Sequence, residues 1–451
     1  MFEIFRYILY FVNISTFNTR FTYFPIIKTT DDFNLWTKNQ KKNKQTATRK
    51  MPFTLRHHKV AVTSLLNWCS EDILPTLISG DEDGTILVWN LLNRKPFYRY
   101  KCNGQIISLQ QVNNLLVALC KDHTLRIFTF PLSVTLSINN TFSTSHNLAE
   151  LNLIYEIPVN TLNFANAAVQ HINGDIYMLW CCNTQDSETI DVYQFNIQEK
   201  TSLRRLHKAI ALYEHISKMV DPSVMKFDKL GTVMKFLLYE DRIYIGFESG
   251  FVVAVSLSDD LSLHVSYVSS AHYPEPVLDL SVGHDLKMVL SSSTTSSLGL
   301  HKAKSKLKHQ HDTAEGDIII DDSEVYSNLI KLPTKKVAHI QQMDNIIVVS
   351  TWYGTTEIFD TTGRDTLTII RKERGQVPVD DNPYGNASLP KDSTRVKISS
   401  MICISKTNTN EISSIKDVTE GIKRRLLRFS NQTWCLVGYE DGSIVVKEIG
   451  H

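Results

Sequence analysis

The sequence has few cysteines and almost no net charge. Its 451 residues include 7 cysteines, an odd number without a Cys-x-x-Cys pair, although Cys181 and Cys182 are adjacent. This pattern argues against a zinc site and against the disulfide framework of a secreted protein, so we expect a reducing intracellular compartment. Lys and Arg total 48 against 47 Asp and Glu, a formal net charge of +1. We therefore expect no direct nucleic-acid contact driven by overall charge.

Long apolar runs are also missing. The apolar segment Phe5–Val12 contains Arg6 and is far shorter than the roughly 18 residues that a membrane span needs. We expect no membrane anchor, and the basic residue inside the run does not fit a signal peptide. Because the polar, basic segment Gln40–Lys50 leads directly to Met51, we expect translation to begin at Met51. Residues 1–50 are then a non-conforming extension, either disordered or wrongly assigned.

A β-hairpin at Leu77–Asn90 is the clearest pattern that the sequence does contain. An Asp-Gly pair separates its two apolar segments, and glycine accepts the positive φ of a tight turn. His58 precedes Trp89 by about 30 residues, a separation typical of one propeller blade of about 40 to 45 residues. The segment resembles a WD40 repeat. The resemblance implies a buried hydrogen-bond chain of histidine, serine, turn aspartate and tryptophan at His58, Ser79, Asp83 and Trp89.

We expect this tetrad to hold a blade together. Serine, histidine and aspartate could also form a hydrolase triad, but no Gly-x-Ser-x-Gly motif surrounds Ser79 and the tryptophan fits the structural set better. We therefore assign no catalytic, cofactor-binding or metal-binding residue. The expectation is a protein that is not an enzyme and has no small-molecule substrate.

Degenerate copies of the hairpin recur along the chain. Asp122 precedes Phe128 by the same six residues that separate Asp83 from Trp89, so phenylalanine takes the tryptophan position in the second copy. The copies after the first lie at Leu115–Phe128, Ile176–Phe195, Ile243–Ser256, Val277–Ser293 with a further strand at Ser296–His301, Asn345–Asp360, and Cys435–Ile449. About seven blades predict an all-β fold, a seven-bladed WD40 β-propeller over residues 51–451.

The two ends of the chain predict how the ring closes. Phe53–Arg56 forms a short strand before the first blade, whereas Cys435–Ile449 ends too near the C-terminus to add a fourth strand to its own blade. We expect the N-terminal strand to complete the last blade. Such pairing removes the exposed sheet edges that would otherwise promote aggregation.

Insertions between the repeats are the candidate functional segments, because propellers bind partners through loops and insertions. They lie near residues 201–220, 299–335, 371–397 and 405–430. The first has apolar residues at helical spacing, although its first half could be an outer strand. In the second, the basic stretch His301–His311 is interpreted as a solvated loop, with a nuclear-import or nucleic-acid patch as the weaker alternative.

The last insertion predicts a helix over Glu411–Phe429. Apolar residues recur on one face, and cations crowd the C-terminal turn, where they suit the helix dipole. We treat the apolar face as a candidate partner-binding surface, with packing of the helix on the ring as the alternative. The residues of this face are Ile412, Ile415, Val418, Ile422 and Leu426.

Several segments together resemble the fungal ASTRA-associated WD-repeat protein family. They are FTLRHHKVAVTSL from Phe53, LISGDEDGTILVWNLLNRKP from Leu77, ALCKDHTLRIF from Ala118 and VGYEDGSIVVKEI from Val437. The resemblance implies a nuclear, non-enzymatic scaffold subunit of the ASTRA complex, linked to chromatin remodelling and to maturation of phosphatidylinositol-3-kinase-related kinases. The partners it implies are kinase-maturation factors, an AAA+ ATPase and Hsp90 co-chaperones.

Two other functions stay open. A G-protein-β-like signalling adaptor predicts an N-terminal coiled-coil heptad repeat, which residues 1–50 lack. An enzyme that uses the central channel predicts inward-facing acids, bases or metal ligands from several blades. The sequence shows no repeated polar position of that kind.

Overall fold

The computed structural model describes residues 52–69, 74–129, 148–219, 229–283, 287–301, 319–321, 329–374, 395–407 and 419–449. All of them belong to one unit, Pro52–His451. The predictions for residues 1–50, for most of the basic stretch after His301 and for most of residues 371–397 concern positions outside these ranges.

Thirty strands and two helices form within the described ranges. The first strands are β1 Phe53–Arg56, β2 Val62–Trp68, β3 Thr76–Asp81, β4 Thr85–Asn90, β5 Lys95–Lys101, β6 Ile106–Val112, β7 Leu115–Cys120, β8 Thr124–Thr129, β9 Ala149–Glu150 and β10 Asn152–Pro158. They are followed by β11 Ala168–Asn173, β12 Ile176–Cys182, β13 Ile190–Asn196, β14 Arg204–Ile210, β15 Val233–Tyr239, β16 Arg242–Phe247, β17 Val252–Leu257, β18 Leu263–Ser269, β19 Val277–Gly283 and β20 Met288–Ser293. The last are β21 Ser297–His301, β22 Ile319–Asp321, β23 Leu329–Lys331, β24 Val337–Met343, β25 Ile346–Thr351, β26 Thr355–Asp360, β27 Thr366–Arg371, β28 Ile398–Ile404, β29 Trp434–Tyr439 and β30 Ser443–Glu448. The helices are α1 Leu212–Met219 and α2 Glu420–Ser430.

The strands build seven antiparallel blades of four strands each. From the inner to the outer strand, blades 1 to 4 are β2-β3-β4-β5, β6-β7-β8-β10, β11-β12-β13-β14 and β15-β16-β17-β18. Blades 5 to 7 are β19-β20-β21-β23, β24-β25-β26-β27 and β28-β29-β30-β1. The predicted hairpins at Leu77–Asn90 and Asn345–Asp360 supply the second and third strands of their blades. The predicted seven-bladed β-propeller is confirmed.

The ring closes through its N-terminal strand, as the sequence predicts. β1 pairs antiparallel with β30, with Phe53 opposite Val446 and Arg56 opposite Ser443. The inner strands β2, β6, β11, β15, β19, β24 and β28 contact one another in that order, and β28 contacts β2. Because β1 covers β30, the last blade has the same four strands as the others.

The core lies between neighbouring blades. The second strand of a blade is buried on both faces, so its sequence is mostly apolar, and every residue of β3 and β16 is buried. Outer strands face solvent on one side, and β5 contains only exposed and partly buried residues. Gly80 in β3 permits close packing of the next blade, because a Cβ at this position would lie 2.5 Å from Ile106 Cγ2.

Polar side chains join the inner edges of the blades at every junction of the ring. Ser64 Oγ accepts a hydrogen bond from the Leu109 N–H at 3.0 Å. The other junctions use Gln110 with Val169, Asn166 with Phe236, Lys235 with Asp279, Asp279 with Ile340, Gln341 with Cys403, and Ser399 with Val62. We call these contacts the seam bonds.

A β-bulge explains the position of several seam residues. Six of the seven inner strands, all except β11, shift register directly after their first residue. Ser64, Lys235 and Asp279 each follow this bulge. Because a bulge adds one residue and bends the strand, it re-aims the next side chain. The shared bulge is therefore the structural basis of part of the seam.

The first insertion is half strand and half helix. For residues 201–220 the alternative of an outer strand in the first half is correct, because Arg204–Ile210 forms the outer strand β14. The open edge of β13 provides backbone partners for this segment, with Val192 opposite His207. Only Leu212–Met219 is helical, and the buried side chains of Leu212 and Ile216 pack between blades 3 and 4.

Candidate functional site

A buried hydrogen-bond chain holds the strands of blade 1 together. His58 Nε2 lies 2.7 Å from Ser79 Oγ, and the Trp89 indole N–H donates to the same oxygen at 2.7 Å. His58 Nδ1 lies 2.7 Å from Asp81 Oδ2, and Asp81 Oδ1 accepts the Thr85 N–H at 2.7 Å. Ser79 is completely buried, so its hydroxyl is inaccessible to a substrate.

Asp81, not Asp83, is the carboxylate of this chain, which corrects the prediction. Side chains two residues apart on a strand share a face, so Asp81 at the end of β3 lies on the same face as Ser79. Asp83 is exposed at the turn, where its carbonyl accepts a hydrogen bond from Lys101. Strand periodicity would have identified Asp81.

The hydrogen bonds to Asp81 stabilise its charged form. Burial alone would raise its pKa, but the hydrogen bonds from His58 and from the Thr85 N–H outweigh burial and bring the pKa below its usual value. The carboxylate is therefore ionised at neutral pH.

Blade 5 contains a second chain of the same shape that the sequence analysis missed. His272 Nε2 lies 2.7 Å from Ser291 Oγ, which lies 2.6 Å from His301 Nε2. His301 follows Ser291 by ten residues, the spacing of Trp89 from Ser79, and Tyr267 Oη lies 3.0 Å from His301 Nδ1. A histidine therefore replaces the tryptophan. This spacing is the feature of the sequence that could have revealed the chain.

His301 is buried, although the sequence analysis placed it in a solvated basic loop. It ends β21 and is 1% exposed. Burial lowers the pKa of His272 to about 4, and burial together with the neighbouring His272 lowers the pKa of His301 to about 3. Both imidazoles are neutral at pH 7. Ser293 takes the position of Asp81, and neither its hydroxyl nor His272 Nδ1 has a hydrogen-bond partner among the described residues.

Helix α2 packs on the ring rather than presenting the predicted apolar face. Leu426 is completely buried, and Ile422 packs against the apolar cluster of blades 1 and 2. The Phe429 ring stacks on Trp434 with a centroid separation of 4.9 Å. Ile412, Ile415 and Val418 lie outside the described residues. The role of Leu426 as a partner contact was therefore wrong, because the core already uses this side chain.

The inner strands of blades 4 to 6 bring together a lysine, an aspartate and a histidine. Lys235 Nζ lies 3.0 Å from Asp279 Oδ1, and His339 Nδ1 lies 4.0 Å from Asp279 Oδ2. The expectation that no polar position is shared by several blades was wrong, because these three residues occupy the same position in their inner strands. Asp279 also accepts the Ile340 N–H at 3.1 Å. The cluster thus belongs to the seam bonds.

Five of the eight exposed large hydrophobic side chains among the described residues lie on one face of the ring, which we call the turn face. It carries the turns between the second and third strands of the blades and the loops that lead to the next blade. These turns and loops touch, since a Cβ on Gly84 would lie 2.4 Å from the Gly104 carbonyl oxygen and one on Gly442 2.5 Å from that of His58. The exposed hydrophobic residues of this face are Leu162, Phe164, Tyr273, Trp352 and Tyr353.

Among the described residues, no group of three or more His, Cys, Asp or Glu side chains is arranged to hold a metal ion. Neither α1 nor α2 is long and apolar enough to cross a membrane.

Comparison with known proteins identifies the family. A sequence profile for ASTRA-associated protein 1 matches residues 51–447. This chain belongs to the ASTRA-associated protein 1 family. The family member from Kluyveromyces lactis is 57% identical over 399 residues, covering 88% of this chain and 98% of that protein. Those from Lachancea thermotolerans and Saccharomyces cerevisiae strain YJM789 are 38% and 30% identical, each over 88% of this chain and over 97% and 96% of their own lengths.

Solved structures share the fold of this ASTRA-associated protein 1 family member. The Sqt1 structure from Saccharomyces cerevisiae superposes with a TM-score of 0.51 at 10% identity, covering 89% of this chain and 98% of Sqt1. Raptor from Chaetomium thermophilum gives a TM-score of 0.50 at 11% identity, covering 96% of this chain and 33% of Raptor. At such low identity the likeness shows the fold alone.

Proposed function

We propose that this protein is a non-catalytic scaffold subunit of the nuclear ASTRA complex that acts in chromatin remodelling and in maturation of phosphatidylinositol-3-kinase-related kinases. Family membership carries the proposal, because a relative named ASTRA-associated protein 1 is 57% identical over almost its full length. The partners are then the kinase-maturation factors and the AAA+ ATPase of that assembly. Cofactors and small-molecule substrates have no part in this role.

The polar groups of the ring support a structural role. The Ser79 hydroxyl is shared between His58 and Trp89 in a buried site, so it is neither free nor accessible as a nucleophile. Asp279 binds Lys235 and the Ile340 N–H of the next blade. Groups that could serve acid–base chemistry therefore hold strands and blades together.

Affinity purification of the tagged full chain tests the proposal. We expect kinase-maturation factors and the AAA+ ATPase to co-purify at constant ratios through a second, size-based separation. An equally expressed, tagged propeller of unrelated family is the control. Recovery of a G-protein γ-like chain would favour the signalling adaptor instead, and turnover of a substrate by the purified protein without stable partners would favour an enzyme.

Nuclear localisation is tested separately. A fluorescent fusion at the native expression level should accumulate in the nucleus, as a scaffold that acts on chromatin requires. Exclusion of the fusion from the nucleus would contradict this part of the proposal, even if the complex were recovered.

A further inference from the structure

We propose that Trp352, Tyr353 and the cations beside them form a docking site for a short acidic peptide segment that contains an aromatic or large aliphatic residue. The inference rests on the proposed scaffold function, because it assigns one surface to a partner protein. It concerns the turn face of blade 6, where β25 leads into β26.

The aromatic pair is exposed but firmly positioned. Trp352 is 49% exposed and Tyr353 is 38% exposed. The Trp352 N–H donates to the Lys336 carbonyl at 3.1 Å, and the Gly354 N–H donates to that of Thr351 at 3.1 Å. Gly354 has φ of +75°, a conformation that glycine adopts without strain. Two rigid rings held on a closed turn lose little conformational entropy when a partner binds.

Cations surround this pair. Lys336 Nζ lies 5.3 Å from the centre of the Tyr353 ring and 5.9 Å from that of Trp352. Lys335 is exposed directly before it. The segment Arg395–Lys397 borders the turn, because a Cβ on Gly354 would lie 2.7 Å from the Val396 carbonyl oxygen.

Among the described residues, cations outnumber carboxylates at this surface, although exposed Glu373 lies opposite Arg395 in a β-bridge. The neighbouring cations Lys372 and Arg374 are neutralised by Asp441 and Glu440 of blade 7. In contrast, no ion pair with another described residue involves Lys335, Lys336, Arg395 or Lys397. An apolar centre with an unneutralised cationic rim matches a hydrophobic anchor flanked by carboxylates.

The rest of the turn face favours a peptide over a nucleic-acid strand. Aromatic and basic groups also bind single-stranded nucleic acid, but such binding needs a positive groove that follows several phosphates. The tight turns of blades 1, 3 and 4 on this face carry exposed carboxylates, which repel a long polyanion. They belong to Glu82, Asp83, Asp186, Glu188 and Glu248. A peptide short enough to contact only blade 6 and its two junctions avoids them.

A second exposed apolar pair provides the matched control. Leu162 and Phe164 lie on the same face, in the loop between blades 2 and 3, and are 77% and 84% exposed. Their loop, residues 159–167, contains asparagines but no lysine or arginine. Exposed hydrophobic surface without cations should not select an acidic peptide.

The test is fluorescence anisotropy with the purified full chain and a synthetic peptide. The probe is a labelled nine-residue peptide of aspartate and glutamate around one central phenylalanine. We expect saturable binding that weakens about tenfold in a W352A/Y353A variant, consistent with loss of interface anchors. K335E/K397E should weaken it similarly and reduce its salt dependence, whereas L162A/F164A should change it less than about twofold. Lys336 is not substituted because its φ is +57°. A substitution at such a strained backbone position would change stability as well as charge.

Several results would overturn the docking site. They are equal binding of a peptide with lysine in place of the acids, equal loss in L162A/F164A, or tighter binding of a single-stranded oligonucleotide at the same residues. Concentration-dependent dimers abolished by W352A/Y353A would assign the surface to a second copy instead. Circular dichroism and melting temperature verify that each variant folds. The assay uses only the purified chain and the peptide. Its failure would therefore overturn the docking site without contradicting ASTRA membership, which the affinity purification tests.

Discussion

Ser79 and Ser291 occupy the same place in blades 1 and 5, yet their hydrogen-bond partners respond differently to acid. In blade 1 the chain ends on a carboxylate, Asp81, which stays ionised at neutral pH. In blade 5 it ends on two neutral histidines, His272 and His301, and no carboxylate of the described residues forms a hydrogen bond with them. The two blades therefore lose stability through opposite events, protonation of an acid in one and of a base in the other.

Replacement of Asp81 distinguishes it from Asp83. Asp81→Asn removes the charge-assisted hydrogen bond to His58 and should lower the free energy of unfolding by about 1–3 kcal/mol. Asp83→Asn, at an exposed turn, should change it by less than about 0.5 kcal/mol. Urea unfolding measures both.

The pH dependence of this effect has a defined sign. Because folding depresses the pKa of Asp81 below 3.8, its contribution to stability is present above that pH and is lost as pH falls through the folded pKa. The gap between the wild type and Asp81→Asn should therefore close in acid. A larger loss of stability in Asp83→Asn than in Asp81→Asn would instead favour Asp83 as the carboxylate of the hydrogen-bond chain.

The histidines of blade 5 predict loss of stability at mildly acidic pH. Their folded pKa values, about 4 and about 3, lie below the unfolded value of 6.5. The unfolded state therefore takes up protons first as pH falls below 6.5, and each histidine removes about 1.4 kcal/mol per pH unit until its folded pKa is reached. Urea unfolding between pH 7.5 and 5 should show this slope. His301→Phe should reduce this slope by about 1.4 kcal/mol per pH unit, the contribution of one proton. An unchanged slope would show that His301 does not lose its proton affinity on folding.

At the scale of elements, strands were more predictable than helices and side-chain networks. The hairpin at Leu77–Asn90 has a local cause, a glycine turn between apolar strands, so the sequence identifies it directly. The outer strand β14 has no such cause, since it forms by pairing with β13. Likewise, burial of Leu426 depends on how α2 meets blades 1 and 7, which helical periodicity does not encode. Periodicity finds an apolar face but not what covers it.

Strand β1 is the element on which closure depends. Leu55 is 1% exposed and packs with Ile444 and Val446 of β30, so Leu55→Ala should lower the free energy of unfolding by about 2–5 kcal/mol. Arg56→Ala in the same strand removes an exposed side chain and should change it by less than about 0.5 kcal/mol. Urea unfolding compares the two. Equal small effects would mean that β1 adds little to the last blade.

At the scale of the whole molecule, the cysteines report whether the ring stays closed. Cys69 is exposed, while the other six, which lie in blades 2, 3 and 7 and in the loop between blades 1 and 2, are buried and form no disulfide. One thiol should therefore react with Ellman's reagent in the folded protein and seven in denaturant. Partial burial raises the pKa of the Cys69 thiol, so its reaction should be slow at pH 7 and faster at higher pH.

Cys69→Ser is the control for this count and should leave no thiol that reacts in the folded protein. If the ring opens as one unit, the six protected thiols should become reactive at a single rate. Early reaction of Cys403 and Cys435 alone would instead show that the last blade opens by itself.

The pairing of β1 with β30 also determines when, during synthesis, the ring can close. Phe53 leaves the ribosome nearly 400 residues before Val446, its partner across the sheet. Until β30 has been synthesised, β1 has no partner strand and the final sheet is incomplete, and such long-range pairing folds slowly and promotes intermolecular association. Premature termination anywhere before β30 therefore yields a polypeptide that cannot close the ring, even if its earlier blades have formed.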